Sequence, residues 1–314
     1  MKSKNEETYT STGFKLIYHP DAIKKLIKES KGTPISLSIA PTSRCNLNCS
    51  FCSNANREKH EELPFSSVVN LLESLTNFGL KTIEWTGGGD PTMYRHIKES
   101  ITTAHLFGLE QGFITNGILL KRMPRQQLDM LKWIRVSANC LDYIPEVEVP
   151  KMTAVLGFSY VMNDNTTEDV LKNLHEHVKK YNPRYVRIVP NCQASFEQQE
   201  KNNEVLSQTV TKWGSPYFYQ AKHFSQPERC WWGYFKPFVN FNGDVFRCSS
   251  VVLNSDSDKT FHKIFRWCDI SELPSFYEKE VEEHNPIHCD HCVFRSQNDL
   301  VDSLLCYTGM ENFV

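Results

Sequence analysis

The stretch Ile35-Ser-Leu-Ser-Ile-Ala-Pro-Thr-Ser-Arg-Cys45-Asn-Leu-Asn-Cys49-Ser-Phe-Cys52 decides the fold, because it joins a β-rich run to three closely spaced cysteines. Its first part, Ile35–Ala40, is predicted to be a strand. The cysteines follow in a C-x3-C-x2-C pattern, so we expect them in a loop at the carboxyl end of that strand. Parallel α/β sheets and barrels carry their ligand sites at this edge.

Segments typical of strands and of helices alternate between residues 35 and 189. The predicted strands are Ile35–Ala40, Lys81–Thr86, Gln111–Thr115, Trp133–Ser137, Thr153–Val161 and Tyr185–Val189. The predicted helices are Ser66–Phe78, Ile97–Phe107, Arg125–Lys132 and Thr167–Tyr181, which carry apolar residues three and four positions apart. The connection Leu141–Lys151 contains two prolines and is predicted to be irregular. This alternation predicts an α/β fold, a partial parallel (β/α)6 barrel.

The sequence changes in character after Val189. A polar helical stretch precedes two aromatic-rich β segments, Tyr234–Asn240 and Val245–Ser249, which are joined by an Asn242-Gly243 turn. We therefore predict a small α+β domain at the C-terminus. The predicted division is an N-terminal extension over residues 1–29, a core over 30–192 and a C-terminal domain over 193–314.

Charge and composition narrow the classes of function. The 314 residues include 35 basic and 37 acidic side chains without a long run of either sign, so a nucleic-acid polymer is not the expected partner. The polar N-terminus and the lack of a long apolar stretch predict a cytoplasmic protein with no membrane association. In that reducing compartment, the 11 cysteines are expected to bind metal or serve catalysis. A small molecule or a peptide is the expected substrate.

Two groups of cysteines are candidate metal ligands. Cys45, Cys49 and Cys52 are suited to three irons of a [4Fe-4S] cluster, whose fourth iron stays open; a zinc site or buried free thiols are the alternatives. The second group lies in the C-terminal third and consists of Cys230, Cys248, Cys289, Cys292 and Cys306. A hairpin with a thiol near each end and a C-x2-C loop predict a four-sulfur cage, and from spacing alone zinc and iron–sulfur fit it equally well.

The C-x3-C-x2-C motif, with aromatic Phe51 before its last cysteine, resembles the signature of the radical S-adenosylmethionine (SAM) superfamily. This resemblance implies that the open iron binds the amino and carboxylate groups of SAM. One-electron reduction, with electrons from a flavodoxin or ferredoxin, then cleaves SAM to a 5′-deoxyadenosyl radical. By the same resemblance, Phe51 lies against the adenine.

Three later stretches are similar to SAM-binding motifs of that family. Thr86-Gly-Gly-Gly-Asp-Pro91 looks like the Gly-Gly-Glu motif, with aspartate in place of glutamate, although a glycine-rich turn alone is a weak signal. Thr115-Asn-Gly117 and Arg135-Val-Ser137 resemble positions near the ribose and carboxylate of SAM. The cofactor-binding residues that the resemblance implies are Phe51, Gly88, Gly89, Asp90, Asn116, Ser137 and Arg187, with a structural ion pair as the alternative role for the last.

The spacing Cys230–Gly243–Cys248 resembles the start of a SPASM domain, and the missing later cysteines make the chain similar to the shortened "twitch" form with one auxiliary [4Fe-4S] cluster. Cys289-x2-Cys292-x13-Cys306 also resembles the C-terminal motif of the molybdenum-cofactor cyclases, in which an open iron binds the nucleotide. We favour the closed cluster of four cysteines, since the final residues, 310–314, lack the glycine tail of the cyclases.

Two lone cysteines complete the candidate catalytic residues. Cys140 and Cys192 follow the fourth and sixth predicted strands, where a thiol would be able to give a hydrogen atom to a substrate radical; a small core residue is the alternative role. The expected function is a radical SAM enzyme that oxidises a small molecule, with the auxiliary cluster as electron acceptor. Peptide modification and a zinc-binding protein without enzymatic activity are the alternatives.

Overall fold

The computed structural model describes residues 4–221, 225–252, 260–284, 286, 289, 292–305 and 309. Its strands are β1 (Ser36–Ile39), β2 (Thr82–Trp85), β3 (Glu110–Thr115), β4 (Trp133–Ser137), β5 (Val155–Val161), β6 (Tyr185–Val189), β7 (Tyr217–Tyr219), β8 (Phe238–Val239), β9 (Asp244–Phe246) and β10 (Arg266–Asp269). Its α-helices are α1 (Lys4–Tyr9), α2 (Pro20–Glu29), α3 (Phe65–Asn77), α4 (Ile97–Leu106), α5 (Arg125–Asp129), α6 (Glu168–Tyr181), α7 (Phe196–Trp213), α8 (Ser249–Val252), α9 (Thr260–Phe265) and α10 (Arg295–Leu305).

All ten strands belong to one sheet, in the order β10-β9-β8-β1-β2-β3-β4-β5-β6-β7. Strands β1 to β7 pair in parallel with their neighbours, and α3, α4, α5 and α6 lie in the connections between them. Within the described residues, β10 and β7 are unpaired on their outer sides, so the barrel is open. The predicted partial parallel barrel is confirmed, and the segment after Tyr143 up to β5 is irregular as expected.

Alternation along the strands separates two faces of the sheet. The side chains of Ser38 and Glu84 are hydrogen-bonded to each other across β1 and β2, so they share the inner face. The apolar neighbours Leu37 and Ile83 therefore point the other way and are fully buried. Helix α3 contributes the core residues Val68, Leu71, Leu72 and Leu75. The hydrophobic core thus lies between the sheet and its covering helices.

The C-terminal hairpin extends the same sheet. Strand β8 pairs in parallel with β1, and β9 returns antiparallel to β8 through a turn in which Gly243 has a φ of 87°. The predicted segment Tyr234–Asn240 is a strand over only two residues, because Trp232–Tyr234 forms a 3-10 turn and Pro237 has no N–H for a ladder bond. Strand β7 also follows residue 193 and pairs with β6, so the sheet continues across the predicted domain boundary. The boundary itself stays a prediction.

The N-terminal residues pack against the sheet. The ring of Tyr9 at the end of α1 stacks on Tyr185 at 4.2 Å between centroids. Residue Lys236 donates to the Ser11 hydroxyl at 2.9 Å, which ties the N-terminal segment to the chain just before β8. Among the helices of the described residues, none has both the length and the apolar character of a membrane span.

Gly112 on β3 should be intolerant of a side chain, because an added Cβ would overlap the ring of Trp133 on the next strand. We expect Gly112→Ala to lower the free energy of unfolding by about 1–3 kcal/mol. In a Trp133→Leu background the ring is absent, so the same change should cost much less. Chemical denaturation of the four proteins measures both effects, and equal losses in the two backgrounds would contradict the contact.

Candidate active site

The cysteine loop leaves β1 at its carboxyl end and is held by backbone hydrogen bonds on both sides. Ser43 donates its N–H to Glu61 at 2.9 Å, and Leu63 donates to Pro41 at 2.9 Å. Within the loop, the N–H of Cys52 donates to the carbonyl of Cys49 at 3.1 Å, which turns the chain between these two thiols. All three cysteine side chains are partly exposed. The loop therefore presents them at the edge that the sequence predicted.

Hydrogen-bond donors surround the three sulfur atoms. Cys45 Sγ accepts from the N–H of Leu47 at 3.5 Å and from the side-chain amide of Asn116 at 3.7 Å. Cys52 Sγ accepts from the guanidinium of Arg57 at 3.8 Å. The phenol of Tyr143 is hydrogen-bonded to the sulfur of Cys49. Three thiols with N–H donors and one cation nearby suit an anionic iron–sulfur cluster, since such donors stabilise sulfur-centred negative charge.

The protonation of these thiols depends first on burial. Burial raises the pKa of Cys45, partly offset by the N–H of Leu47. Burial also raises the pKa of Cys49 to about 11, although the Tyr143 phenol acts in the opposite direction. At neutral pH both side chains are protonated thiols in the absence of metal. Binding of a cluster must therefore release protons.

The glycine-rich turn after β2 packs directly against the cysteine loop. Gly89 donates its N–H to the carbonyl of Thr42 at 2.8 Å, and Asp90 donates to the carbonyl of Arg44 at 2.7 Å. A Cβ at Gly89 would overlap the Arg44 carbonyl, and one at Gly88 would overlap the ring of Phe241. These glycines thus allow the close approach of two backbones and of an aromatic ring.

The carboxylate of Asp90 is buried, with 3% of the residue exposed, and joins two strand ends. It accepts from the backbone and hydroxyl of Thr92 at 2.9 and 2.5 Å. It also accepts from the Thr115 hydroxyl at 2.9 Å and from the Asn116 N–H at 2.7 Å. With these donors engaged, Asp90 organises the turn after β2 and the end of β3, and Asn116 reaches Cys45 from that position.

The other predicted site residues occupy different surroundings. Phe51 is buried, and its carbonyl accepts from the Cys192 thiol at 3.9 Å, so the loop after β6 contacts the cysteine loop. Cys140 is fully buried in the hydrophobic core, and burial raises its pKa to about 12. Ser137 ends β4 directly beside Ser159, and Ser159 accepts hydrogen bonds from Arg187 on the neighbouring strand. The roles predicted for these residues stay predictions.

Four C-terminal thiols lie together beside the hairpin. Cys230 interacts electrostatically with Cys248 and Cys292. Cys289 is hydrogen-bonded to Cys292, which raises the pKa of Cys289 and lowers that of Cys292. Cys306 lies outside the described residues. Among the residues that are described, no three cysteine, histidine or carboxylate side chains converge on the position of a single ion.

An apolar cluster and one asparagine surround this second group of thiols. The cluster contains Ala40, Phe238, Phe246, Cys248 and Phe265, with Cys289 and Phe294 packed against it. The side chain of Asn298 is buried on α10 and donates to Cys292 Sγ at 3.9 Å. Its oxygen accepts from the N–H groups of Trp231 and Trp232 at 2.7 and 2.9 Å. Four neighbouring thiols, of which those of Cys248 and Cys292 are buried, suit a second iron–sulfur cluster.

Several residues at these sites were not predicted from the sequence. Arg57, Tyr143 and Asn298 each contact a cysteine sulfur, and Gln193 donates to the Cys52 carbonyl at 3.0 Å. Tyr143 and Gln193 reach the cysteine loop from distant parts of the chain, and no motif marks the helix that brings Asn298 to Cys292. Only Arg57 gave a usable signal, since it lies five residues after Cys52 in the same loop.

The part of the sequence that forms this site matches a known protein family. Residues 39–189, which run from β1 to the end of β6, match the family model of the radical SAM superfamily. This part of the chain is therefore a radical SAM domain. Members of this superfamily use a [4Fe-4S] cluster and SAM, which agrees with the three thiols after β1. The matched residues contain the cysteine loop, the glycine-rich turn and Asn116.

Curated proteins with similar sequences include GTP 3′,8-cyclases. A GTP 3′,8-cyclase of Helicobacter pylori is 27% identical over 205 residues, which cover 56% of this chain and 63% of the cyclase. A GTP 3′,8-cyclase of Staphylococcus carnosus is 33% identical over 130 residues, which cover 38% of each chain. The matches thus cover less than two thirds of these curated relatives.

Two solved structures show the same fold. SuiB of Streptococcus suis, bound to its precursor peptide SuiA, aligns with a TM-score of 0.53 and 16% identity, covering 96% of this chain and 74% of SuiB. The protein anSMEcpe, with bound SAM and a peptide, aligns with a TM-score of 0.52 and 13% identity, covering 88% of this chain and 85% of that one. At this identity the likeness concerns the fold alone.

The role of Asp90 can be tested by its isosteric amide. We expect Asp90→Asn to lower the free energy of unfolding by about 2 kcal/mol. The new NH2 group would face N–H and O–H groups that now donate hydrogen bonds to the carboxylate. Iron bound after reconstitution should also fall, since Asn116 loses its support. Asp129→Asn is the control, because Asp129 lies on the surface beside Arg125. Similar midpoints of denaturation for the two variants would contradict the proposed role.

Proposed function

We propose that this chain is a radical SAM enzyme that oxidises a small molecule by two electrons. When bound, a [4Fe-4S] cluster with SAM would supply a 5′-deoxyadenosyl radical able to remove a hydrogen atom from the substrate. An auxiliary [4Fe-4S] cluster held by the C-terminal cysteines would take up the remaining electron, and a proton would pass to solvent. The observation that carries this proposal is the set of Cys45, Cys49 and Cys52, with hydrogen-bond donors at their sulfurs, on the loop after β1.

The residues around the first cluster have separate tasks in this proposal. The three cysteines hold three irons and leave one for SAM. The guanidinium of Arg57 and the amide of Asn116 offset the negative charge on the sulfurs. Phe51, Gly88, Gly89, Ser137 and Arg187 remain candidates for contacts with SAM or substrate. Asp90 holds Asn116 in place through the backbone of that residue.

The second group of thiols supports oxidation over other outcomes. Cys230, Cys248, Cys289 and Cys292 provide one thiolate for each iron of a cubane cluster. A cluster with four protein ligands has no open iron, so it is suited to pass electrons. The aromatic side chains beside Cys248 keep water away from it. A flavodoxin or ferredoxin would supply the electron for SAM cleavage.

A peptide substrate is the second candidate. The structures of SuiB and anSMEcpe that share this fold contain bound peptides. The GTP 3′,8-cyclases add a third possibility, in which a nucleotide would bind an open auxiliary iron that involves Cys306. Product analysis with small molecules, peptides and GTP distinguishes these three substrate classes.

Removal of the first cysteine group tests the radical assignment. The wild-type protein, reconstituted anaerobically with iron and sulfide, is expected to bind about eight irons per chain and to form 5′-deoxyadenosine from SAM after dithionite is added. The triple variant Cys45→Ala/Cys49→Ala/Cys52→Ala should lose about four irons and all deoxyadenosine. Cys268→Ala, a change at a buried cysteine on β10, is the control and should retain both the bound iron and the formation of deoxyadenosine. Zinc in place of iron, or deoxyadenosine from the triple variant, would refute the proposal.

Single cysteine variants distinguish a closed auxiliary cluster from an open one. We expect Cys306→Ala to retain about eight irons, because four other thiols complete the cage. Cys292→Ala should lose up to about four irons while deoxyadenosine formation continues, because the first cluster is intact. Iron analysis and Mössbauer spectra measure the outcome. Iron loss in Cys306→Ala together with full retention in Cys230→Ala would instead indicate an open iron and a cyclase-like centre.

A further inference from the structure

The inner face of the sheet carries more positive than negative charge. Its charged groups are Glu84 on β2, Arg135 on β4, Arg187 on β6 and Lys236 just before β8. These groups lie close enough to influence one another, since Arg135 affects the pKa of both Glu84 and Arg187. Lys15, from the N-terminal segment, also interacts electrostatically with Lys236, Glu84 and Arg135, so four cations share this region with one carboxylate.

The single carboxylate is already neutralised. Lys236 Nζ lies 2.8 Å from Glu84 Oε2, and the Ser38 hydroxyl donates to the same oxygen at 2.9 Å. Burial acts to raise the pKa of Glu84, but Lys236 and Ser38 bring it below its ordinary value, so the carboxylate is ionised. Glu84 also interacts electrostatically with Arg135 and Arg187, but one carboxylate does not balance all of these cations, so the group keeps a net positive charge.

Both arginines bind only neutral acceptors within the described residues. Arg135 donates to the Tyr185 phenol at 3.0 Å and to the Tyr9 carbonyl at 2.9 Å. Arg187 donates from Nε and Nη2 to the Ser159 hydroxyl, at 3.2 and 3.0 Å, and from Nη1 to the Gln220 side chain at 3.2 Å. Three of its five N–H groups are engaged in this way.

Arg187 is partly buried, which makes its charge less favourable without a counter-ion than it would be in water. Burial, and next the charge of Arg135, lower the pKa of Arg187 to about 9, so it remains a cation at neutral pH. A buried charge is stabilised by an opposite charge or by full hydrogen bonding. A planar guanidinium binds a carboxylate or a phosphate through parallel N–H···O bonds, so an oxyanion would meet both needs.

Arg187 also lies near the reactive end of the sheet. It is two residues before the end of β6, and the loop that follows contacts the cysteine loop through Cys192 and Gln193. Its partner Ser159 lies beside Ser137, at the end of β4. A ligand bound to Arg187 would therefore occupy the inner face just below the loop that holds the first group of thiols.

We infer that Arg187, with Arg135 beside it, forms the binding site for an oxyanion, a carboxylate or phosphate, of the substrate. This inference rests on the proposed function, because it names the chemical class of the molecule that is oxidised. The carboxylate of SAM has the same chemistry and is the other possible occupant. The experiment must therefore separate substrate-type anions from SAM.

Thermal melting of the reconstituted protein with inorganic phosphate or acetate, against chloride at equal ionic strength, tests the site. A ligand that binds the native state raises the melting temperature with its concentration. We expect phosphate or acetate to stabilise the wild type more than chloride does. Arg187→Gln should weaken the apparent affinity by about tenfold or more, since it removes the charge and the paired donors. The apparent affinity of Arg187→Lys should lie between those of the wild type and Arg187→Gln. Arg122→Gln, a change at an exposed position, should bind the anions as the wild type does.

Equilibrium dialysis with SAM, on the same samples, identifies the occupant. SAM affinity within about twofold of wild type in both Arg187 variants, with no competition from phosphate or acetate, supports a substrate site. Loss of SAM affinity in these variants, with competition by the anions, would assign Arg187 to SAM and overturn the inference. Equal melting temperatures of the wild type in phosphate, acetate and chloride would also overturn the inference. This comparison needs no variant, so it remains available if Arg187→Gln does not fold.

Deoxyadenosine formation, measured in parallel, separates this inference from the proposed function. Wild-type protein that cleaves SAM but shows no specific response to either anion would retain the proposed function and lose the oxyanion site. Protein that binds phosphate but does not cleave SAM would fail the proposed function, and the site would then have no reaction to serve.

Discussion

The position of the cysteine loop depends on the buried carboxylate of Asp90. A buried charge is tolerated only when donors surround it, and Asp90 accepts from Thr92, Thr115 and the N–H of Asn116. Its own N–H donates to the carbonyl of Arg44, one residue before the first thiol of the loop. The carboxyl ends of β1, β2 and β3 are thus held in one arrangement. From there the Asn116 amide reaches both Asn46 and the sulfur of Cys45.

The two groups of thiols are linked by the sheet itself. Strand β8 pairs with β1, and Ala40, at the end of β1, donates its N–H to the Val239 carbonyl at 2.9 Å. Ala40 also belongs to the apolar cluster that contains Cys248. Because the same strand leads into the cysteine loop, the separation between the two thiol groups is set by backbone hydrogen bonds. In the proposed function, electron transfer between the two sites would depend on this separation.

The sequence predicted the parallel strands well because each buried strand is a distinct β-rich run between helical patterns. Six strands from Ile35 to Val189 appear within two residues of their expected ends. The pairing of β8 with β1 could not be predicted, since a parallel neighbour distant in the chain leaves no periodic signal in two residues. The cysteines were identifiable from spacing, whereas Tyr143 and Asn298 were not, because their hydrogen bonds to sulfur depend on tertiary packing.

The polar inner face distinguishes this open sheet from a closed barrel. A closed (β/α)8 barrel fills its interior with bulky apolar side chains, which leaves no room for a ligand. Here Trp133 covers Gly112 and Tyr185 covers Gly157, so aromatic rings occupy the level where β4 and β6 begin. Above them, toward the cysteine loop, lie charged and hydroxyl side chains such as Arg187 and Ser159. Such groups are costly in a packed core but favourable around a polar ligand. The inner face is therefore largely aromatic where β4 and β6 begin and polar beneath the cysteine loop.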